Sequence, residues 1–173
     1  FAKYITESYV VDFEGNLVET DAFEVMLGLT VEIRKPREER NYPVFIYSEI
    51  GGAKKYVIPV RGKGLWGPIW GYVALEEDLN TISGAVFDHK GETPGLGSDI
   101  NKDWFQEPFA GKTIFNEAGE FVSVEVVKGG ADPTSMHQVD AIAGGTITSK
   151  ALEDMIIDCM TGYVVHFKEL ANN

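Results

Sequence analysis

Residues Asp140–Ser149 read D-A-I-A-G-G-T-I-T-S, and this stretch is the starting point for interpreting the rest of the chain. Three consecutive small residues let an anion approach the backbone closely, and hydroxyl side chains follow them. An amphipathic run opens at Lys150, so the first amides of a helix point toward the same place. The pattern predicts a phosphate-binding site, although a glycine-containing loop and N-cap without a ligand fit the same residues.

A second loop, Gly91–Gly97, reads G-E-T-P-G-L-G and follows the apolar run Gly84–Phe87. Pro94 stands between Thr93 and a glycine, which predicts a tight, rigid loop with exposed amides. On its own residues this loop is an ordinary turn, and a role in binding is the alternative.

The composition restricts the class of protein. At 173 residues with 44% hydrophobic content, the sequence predicts one globular domain covering residues 1–173. A net charge of −12 argues against nucleic acid or an anionic membrane surface as a partner. The single cysteine, Cys159, excludes an internal disulfide and an iron–sulfur cluster held within the chain. The three histidines are scattered without metal-ligand spacing, so no metal site is predicted.

Hydrophobic periodicity predicts an α+β fold, a mostly antiparallel sheet with short helices and a C-terminal amphipathic helix packed on it. The predicted strands are Ser8–Phe13, Leu17–Thr20, Val44–Glu49, Lys55–Val60, Ile69–Leu75, Thr81–His89, Thr113–Phe115 and Phe121–Val127. The predicted short helices are Ala22–Leu29 and Trp104–Phe109, and the predicted loops are Lys35–Asn41, Gly51-Gly52 and Gly129–Gln138.

The final helix is predicted from near Ser149 to about Lys168. Its apolar residues recur at spacings of three and four, which gives one face toward the core. Gly162 lies inside this helix and is expected to cost roughly 1 kcal/mol relative to alanine. The residues of the predicted apolar face, which include an inert buried thiol, are Leu152, Met155, Ile156, Cys159, Tyr163 and Phe167.

The first stretch resembles the flavinylation motif of the FMN-binding domains in the C subunit of the sodium-translocating NADH:quinone oxidoreductase and the G subunit of the Rnf complex. That motif reads D-[AG]-x-S-G-A-T-x-[TS], and in this chain Ala143 replaces its Ser and Gly145 replaces its Ala. Gly91–Gly97 contains the complete E-T-P-G-L-G signature of the same domain. The residues that match the flavinylation motif are Asp140, Gly144, Thr146 and Thr148.

Other positions narrow the resemblance, which is strong from Tyr56 to the C-terminus and loose before it. Gly64–Gly67 (G-L-W-G) and Gly71–Leu75 resemble the C subunit of the sodium-translocating complex rather than the Rnf protein. Asp78–Ile82 and Gly111-Lys112 match further positions of the family.

The resemblance implies that FMN is attached to Thr146 through a phosphoester bond. A flavin transferase uses FAD and Mg²⁺ for this reaction and releases AMP. The chain is expected to have no catalytic residue of its own, because activation of a weakly nucleophilic hydroxyl belongs to the transferase. Replacement of the motif's Ser by Ala143 removes a hydroxyl that this reaction or the phosphate would use.

The resemblance also implies contacts to the flavin. Glu92, Thr93 and Leu96 are expected against the isoalloxazine ring, and Lys112 is expected to place positive charge near it, with a solvated surface lysine as the alternative. Trp66 is expected either to stack near the flavin or to belong to the core. The remaining expected cofactor-binding residues are Asp140, Gly144, Gly145, Ile147 and Thr148.

The function implied is that of an electron-transfer subunit in a sodium-translocating NADH:quinone oxidoreductase, with other membrane subunits as partners. No complete catalytic activity is expected from this chain alone. The domain is expected on the periplasmic side of the bacterial inner membrane, anchored by an N-terminal helix outside this sequence. The alternatives are the G subunit of an Rnf-type complex and a non-catalytic scaffold that binds FMN loosely or not at all.

Overall fold

The computed structural model describes residues 4–48 and 52–172, and its main feature is a six-stranded antiparallel sheet. In space the strands follow the order β2-β1-β3-β4-β5-β6. A separate pair, β7 and β8, is parallel. The strands are β1 Ile5–Val11, β2 Leu17–Val18, β3 Tyr42–Ser48, β4 Lys54–Lys63, β5 Pro68–Leu75, β6 Ile82–His89, β7 Glu125–Val127 and β8 Gln138–Asp140.

Helices cover both faces of the sheet. The longest, α4, packs on the inner face along β4, where Ile58 and Val60 are buried. Gly62 continues that face, and a Cβ there would lie 2.8 Å from the Met155 Cβ, so glycine lets α4 approach β4 closely. The helices are α1 Ala22–Leu27, α2 Leu29–Glu32, α3 Asp103–Gln106, α4 Thr146–Thr161 and α5 Val164–Ala171, and the 3-10 turns are Arg37–Glu39, Gly97–Asn101 and Glu107–Phe109.

On the outer face, α1 lies mainly over β1 and β3, and its Met26 also reaches β5, where the Tyr72 hydroxyl donates to the Met26 sulfur at 3.7 Å. A small core cluster of Val10, Ala22, Val25 and Phe45 joins these elements. The outward side chains of β5, Trp70 and Tyr72, alternate with the buried Ile69 and Val73 and are themselves half-buried.

The predicted α+β class and the antiparallel sheet are confirmed. The C-terminal helix was predicted wrongly in its bounds: it begins at Thr146 and ends at Thr161, and α5 is a separate helix. The break follows from packing, because a Cβ on Gly162 would overlap the aromatic ring of the buried Tyr42. The glycine at position 162 therefore leaves space for the Tyr42 ring, and it is not a weak point inside a continuous helix.

The predicted apolar face of the last helix is confirmed, because all six of its residues are buried. Burial raises the pKa of the Cys159 thiol to about 11, and the thiol donates to the Arg61 carbonyl at 3.5 Å. A thiol that stays protonated at neutral pH is a poor nucleophile.

The predicted strand pair around Asn116–Glu120 is reduced to a single bridge between Phe115 and Phe121. The chain beyond it pairs differently, because β7 lies parallel to β8, which includes the last residue of the predicted loop Gly129–Gln138. Glu49 and Gly51, parts of a predicted strand and turn, lie outside the described residues.

The turn between β4 and β5 spells G-K-G-L-W-G over Gly62–Gly67, which fits the letters of a dinucleotide-binding fingerprint. That fingerprint requires a strand leading into a helix, whereas this turn joins two antiparallel strands. It therefore forms no dinucleotide site of that type. Within residues 4–48 and 52–172, no helix combines the length and the apolar character needed to cross a bilayer.

Candidate functional site

The two loops singled out in the sequence meet in space at the N-terminus of α4. Between them lies a pocket of about 110 Å³, and the β4–β5 turn closes one side of it. Eight of the eleven predicted site residues line the pocket. The lining residues are Leu65, Glu92, Thr93, Leu96, Gly97, Gly144, Gly145, Thr146, Ile147 and Thr148.

Glu92 connects the Gly91–Gly97 loop, the β4–β5 turn and the N-terminus of α4. Its carboxylate is 4% exposed, accepts from the Thr148 hydroxyl at 2.6 Å and accepts from the backbone amide of Trp66 at 2.9 Å. Its own amide donates to Nδ1 of His89 at 3.2 Å. A buried carboxylate satisfied by two internal donors acts here as a structural bridge between the loop, the turn and the helix.

Glycines make the close packing around this bridge possible. A Cβ on Gly97 would overlap the Thr148 hydroxyl and lie 2.7 Å from Oε2 of Glu92. Gly144 has φ of +75°, a left-handed conformation that costs glycine little, and a Cβ there would lie 2.7 Å from Cδ2 of Leu96. Gly97 and Leu65 were not among the predicted site residues, although both belong to motifs that carried the resemblance.

Three hydroxyls occur in the first turn of α4, but the structure leaves only one of them uncommitted among the described residues. The Thr148 hydroxyl is buried against Glu92. The Ser149 hydroxyl is also buried and accepts from the Ile142 amide at 3.0 Å, which closes the preceding loop. Thr146 lines the pocket, is half-buried, and its hydroxyl bonds to none of the described residues.

The N-terminus of α4 is open to an anion. Its N-cap is Gly145, which offers no side-chain acceptor, and the first turn contains no acidic residue. The amides of Thr146, Ile147 and Thr148 have no acceptor among residues 4–48 and 52–172. Free amides at the positive end of a 16-residue helix form a favourable seat for a phosphate group.

Apolar side chains surround the mouth of the pocket. Ile147, Leu65 and Leu96 line the pocket and are 63%, 42% and 40% exposed. Trp66 follows Leu65 in the turn and is 68% exposed, but it is not among the lining residues. The alternative that Trp66 belongs to the core is therefore wrong. Exposed apolar side chains grouped around one pocket are typical of a site that meets a ligand or partner.

Lys112 and Asp140 are not among the residues that line the pocket. The Lys112 ammonium donates to the Ser135 carbonyl at 2.6 Å, and the Asp140 carboxylate accepts from the Ala131 amide at 2.6 Å. Both side chains hold the 129–138 loop, so the structure brings them to a neighbouring segment instead.

Comparisons with known proteins agree with this geometry. The model of the FMN-binding domain family matches residues 64–161, a range that contains both motifs. The C subunit of the Na(+)-translocating NADH-quinone reductase of Pseudomonas aeruginosa is 39% identical over 123 residues, covering 69% of this chain and 47% of that protein. The C subunit from Vibrio anguillarum is 35% identical over 168 residues, covering 88% of this chain and 65% of that protein.

Solved structures show the same fold. The C subunit from Parabacteroides distasonis matches with a TM-score of 0.83 and 44% identity, covering 96% of this chain and 79% of that one. NqrC of Shewanella oneidensis matches with a TM-score of 0.79 and 29% identity, covering 100% and 87%. The chain spans about half to two-thirds of the curated relatives' length. The resemblance inferred from the motifs is confirmed, and the chain belongs to the FMN-binding domain family.

Proposed function

We propose that this domain carries FMN covalently on Thr146 and works as an electron-transfer subunit of a sodium-translocating NADH:quinone oxidoreductase. The observation that carries the proposal is the availability of one hydroxyl, that of Thr146, at an uncapped helix N-terminus beside the pocket. The neighbouring hydroxyls of Thr148 and Ser149 are engaged in internal hydrogen bonds. The fold thus favours attachment at a single position.

The residues present fit FMN. Free amides and a threonine hydroxyl suit a phosphate, and the exposed Leu96 and Trp66 suit an apolar ring system. The pocket of about 110 Å³ is smaller than the roughly 300–1,000 Å³ of sites that enclose a ligand. A shallow site retains a cofactor weakly, and a covalent bond compensates because it fixes the local concentration.

When bound, FMN supplies the redox chemistry, and the chain's own residues hold and orient it. In this proposal the amides of the first turn of α4 bind the phosphate, while Thr93 and Leu96 meet the ring. Glu92 holds the Gly91–Gly97 loop against α4 through the Thr148 hydroxyl and against the β4–β5 turn through the Trp66 amide. Gly144 and Gly145 let the loop approach, Ile147 covers the site, and Lys112 and Asp140 position the 129–138 loop.

Attachment requires a base from another protein. Glu92 lines the pocket and Asp140 lies outside it, and both already accept hydrogen bonds from within the fold. Among the described residues that line the pocket there is no further carboxylate and no histidine. We assign activation of Thr146 to a flavin transferase that uses FAD and Mg²⁺. The threonine oxygen forms a bond to the FMN phosphorus, the diphosphate bond of FAD breaks, AMP leaves, and the hydroxyl proton passes to the transferase.

The wider setting is also part of the proposal. Electrons enter from NADH through other subunits, pass through this domain and continue to quinone. The relatives are subunits of a reductase whose name states sodium translocation, and the part of their length beyond this chain leaves room for an anchor. We propose that the domain is held on the periplasmic side of the inner membrane by such an N-terminal helix.

The test is the intact mass of the chain after co-expression with its flavin transferase. The expected gain is one FMN less one water, absent in Thr146→Ala and retained in the matched control Ile147→Ala. A gain that persists in Thr146→Ala would place the flavin elsewhere. An unmodified mass with active transferase would show that Ala143 or Gly145 disables the motif and would favour the scaffold alternative.

A further inference from the structure

A basic pocket opens where the end of α2, the end of β4 and the start of β5 meet. Its volume is about 450 Å³, and three of its lining residues are the cations Arg34, Arg61 and Lys63. No carboxylate lines it; the other lining residues are Thr30, Ile33, Gly62, Gly67 and Pro68. Because the chain has only 15 Lys and Arg and a net charge of −12, this pocket is a local reversal of the overall charge.

The three cations are available to a ligand. Among the described residues, no ion pair involves Arg34, Arg61 or Lys63. Six of the other cations form ion pairs: Lys35 with Glu32, Arg37 and Arg40 with Asp158, Lys54 with Glu7, Lys55 with Glu76, and Lys150 with Glu153 and Asp154. The positive charge of the pocket is therefore directed outward.

Aromatic side chains extend the pocket across the outer face of the sheet. The Arg61 guanidinium carbon lies 5.5 Å from the centre of the Trp70 ring, and Tyr72 follows on the same face. Val86 on the neighbouring strand is exposed, and Asp88, which pairs with Trp70, adds one carboxylate at the edge. Arginine, tryptophan and tyrosine are the residue types that dominate binding energy at protein interfaces.

This surface adjoins the flavin pocket through the Gly64–Gly67 turn. The Gly64 amide donates to the Gly67 carbonyl at 2.7 Å, which keeps the turn narrow. Leu65 lines the flavin pocket on one side of the turn, and Gly67 lines the basic pocket on the other. The exposed Trp66 lies between Leu65 and Gly67 in the chain, so the two pockets have the β4–β5 turn in common.

We propose that the basic pocket and the aromatic face beside it dock an acidic segment of the protein that exchanges electrons with this domain. The inference rests on the proposed function, because it names the partner surface for the same electron transfer. Carboxylates of the partner pair with Arg34, Arg61 and Lys63, while Trp70 and Tyr72 pack against its apolar atoms.

The observations favour a polypeptide over a phosphate ion or a lipid surface. An aromatic face adds contact area for a peptide segment and nothing for a small anion. An anionic bilayer faces the whole domain and is repelled by the domain's net charge of −12. A short acidic segment lies within a few ångströms of the pocket and therefore experiences mainly the positive potential of its three cations.

The test uses hexaglutamate as the probe, titrated into the ¹⁵N-labelled flavinylated domain and followed by amide chemical shifts. Shifts are expected to concentrate in residues 30–34 and 61–72 and to weaken as salt rises toward about 0.15 M. The variant Arg34→Gln/Arg61→Gln/Lys63→Gln is expected to bind about tenfold more weakly, because three exposed ion pairs are lost. The matched control is Lys102→Gln/Lys128→Gln/Lys168→Gln, which removes three exposed charges elsewhere and is expected to change affinity less than about twofold.

Three outcomes would overturn the proposal. Equal weakening in both triple variants would show that the probe senses only net charge. If inorganic phosphate displaces the peptide at concentrations below the peptide's own Kd, the pocket is a phosphate site. Binding to phosphatidylglycerol vesicles that is lost in the pocket variant would make it a lipid surface.

The intact mass of the pocket variant separates this inference from the proposed function. Full FMN attachment is expected, because none of the three cations lines the flavin pocket. If the wild-type chain is flavinylated and the peptide does not map to residues 30–34 and 61–72, the docking inference alone fails. If the peptide maps there and no FMN is attached, the acidic segment binds and its role in electron transfer fails with the proposed function.

Discussion

The two ends of α4 each carry a closely packed glycine, and they differ in whether the polar groups beside it have partners. At the N-terminal end, Gly145 leaves the first amides and the Thr146 hydroxyl without partners among the described residues and beside an open pocket. At the C-terminal end, the space beside Gly162 is filled by the ring of Tyr42. The space beside Gly145 is filled as well, since a Cβ there would lie 2.9 Å from Cγ2 of Ile142, so the two ends differ in the polar groups left unpaired and not in free space.

A glycine next to a helix is therefore not by itself evidence of a ligand. What distinguishes the ends is polar satisfaction: the Tyr42 hydroxyl donates to the Arg37 carbonyl at 2.7 Å, so its position is fixed internally. At the N-terminal end, donors remain unused within the described part of the chain. Substitution of Gly162 should therefore damage stability, whereas substitution of Thr146 should damage flavin attachment and leave stability nearly unchanged.

The largest expected effect on stability is that of Gly162→Ala. The added methyl overlaps the buried Tyr42 ring, so we expect the free energy of unfolding to fall by about 3 kcal/mol in urea denaturation. Gly91→Ala is the matched control, because a Cβ there meets nothing within 4 Å. If Gly162→Ala instead stabilises the chain, as at an exposed helical site, the packing account of this end is wrong.

Thr148→Val is expected to cost about 2 kcal/mol, because it leaves the buried Glu92 carboxylate without the donor that bonds it at 2.6 Å. Thr148→Ser keeps the hydroxyl and should retain most of the stability in the same urea experiment. Equal losses in the two variants would mean that the methyl group of Thr148, not its hydrogen bond, stabilises the N-terminal end.

Asp158→Asn probes the end of α4 near Gly162 and is expected to cost about 1 kcal/mol at neutral pH. Burial alone would raise the pKa of Asp158, but Arg40 and Arg37, each bonded at 2.7 Å, hold that pKa below its usual value. The folded state thus favours the carboxylate, and its contribution is complete above the ordinary pKa of an aspartate and is lost as pH falls through the lowered one.

The difference between wild type and Asp158→Asn should therefore shrink in acid when unfolding is measured from neutral pH downward. Asp154→Asn is the control on the same helix, since its contact with Lys150 is exposed and longer, at 3.5 Å. A difference that does not change with pH would show that the two arginines do not stabilise the charged form.

The smallest expected effect on stability is that of Thr146→Ala in the flavin-free chain, within about 0.5 kcal/mol. Its hydroxyl bonds to none of the described residues, so its removal leaves none of them unsatisfied. A melting temperature well below that of the wild type would show that Thr146 supports the fold, and the contrast between the two ends of α4 would be weaker than described.

Local patterns were sufficient for the strands of the six-stranded sheet and for the inner face of α4, but not for the parallel pair of β7 and β8. Alternation in Ile69–Leu75 and spacings of three and four from Leu152 onward report which side chains are buried, because each element repeats with a fixed period. The two motifs also predicted most of the pocket. Period and motif order are properties of the chain itself, so one sequence suffices to detect them.

Patterns failed where the decisive neighbour is far away in the chain. The hydrogen bond from Thr148 to Glu92 joins residues 56 positions apart, and no local sequence pattern around either residue indicates it. The break at Gly162 depends on Tyr42, and the exposure of Trp66 depends on how the β4–β5 turn projects from the sheet. Lys112 and Asp140, grouped with the flavin site by motif, bond the 129–138 loop instead.

The fold class, the family and the hydroxyl-rich stretch Asp140–Ser149 follow from the amino-acid sequence alone. The three-dimensional fold selects which hydroxyl of that stretch is left available, because Thr148 and Ser149 find their partners, Glu92 and the Ile142 amide, in the folded chain. It also decided that Arg34, Arg61 and Lys63 meet in one pocket. Hydrogen-bond satisfaction and charge proximity act over a few ångströms in space, and distance along the chain does not report them.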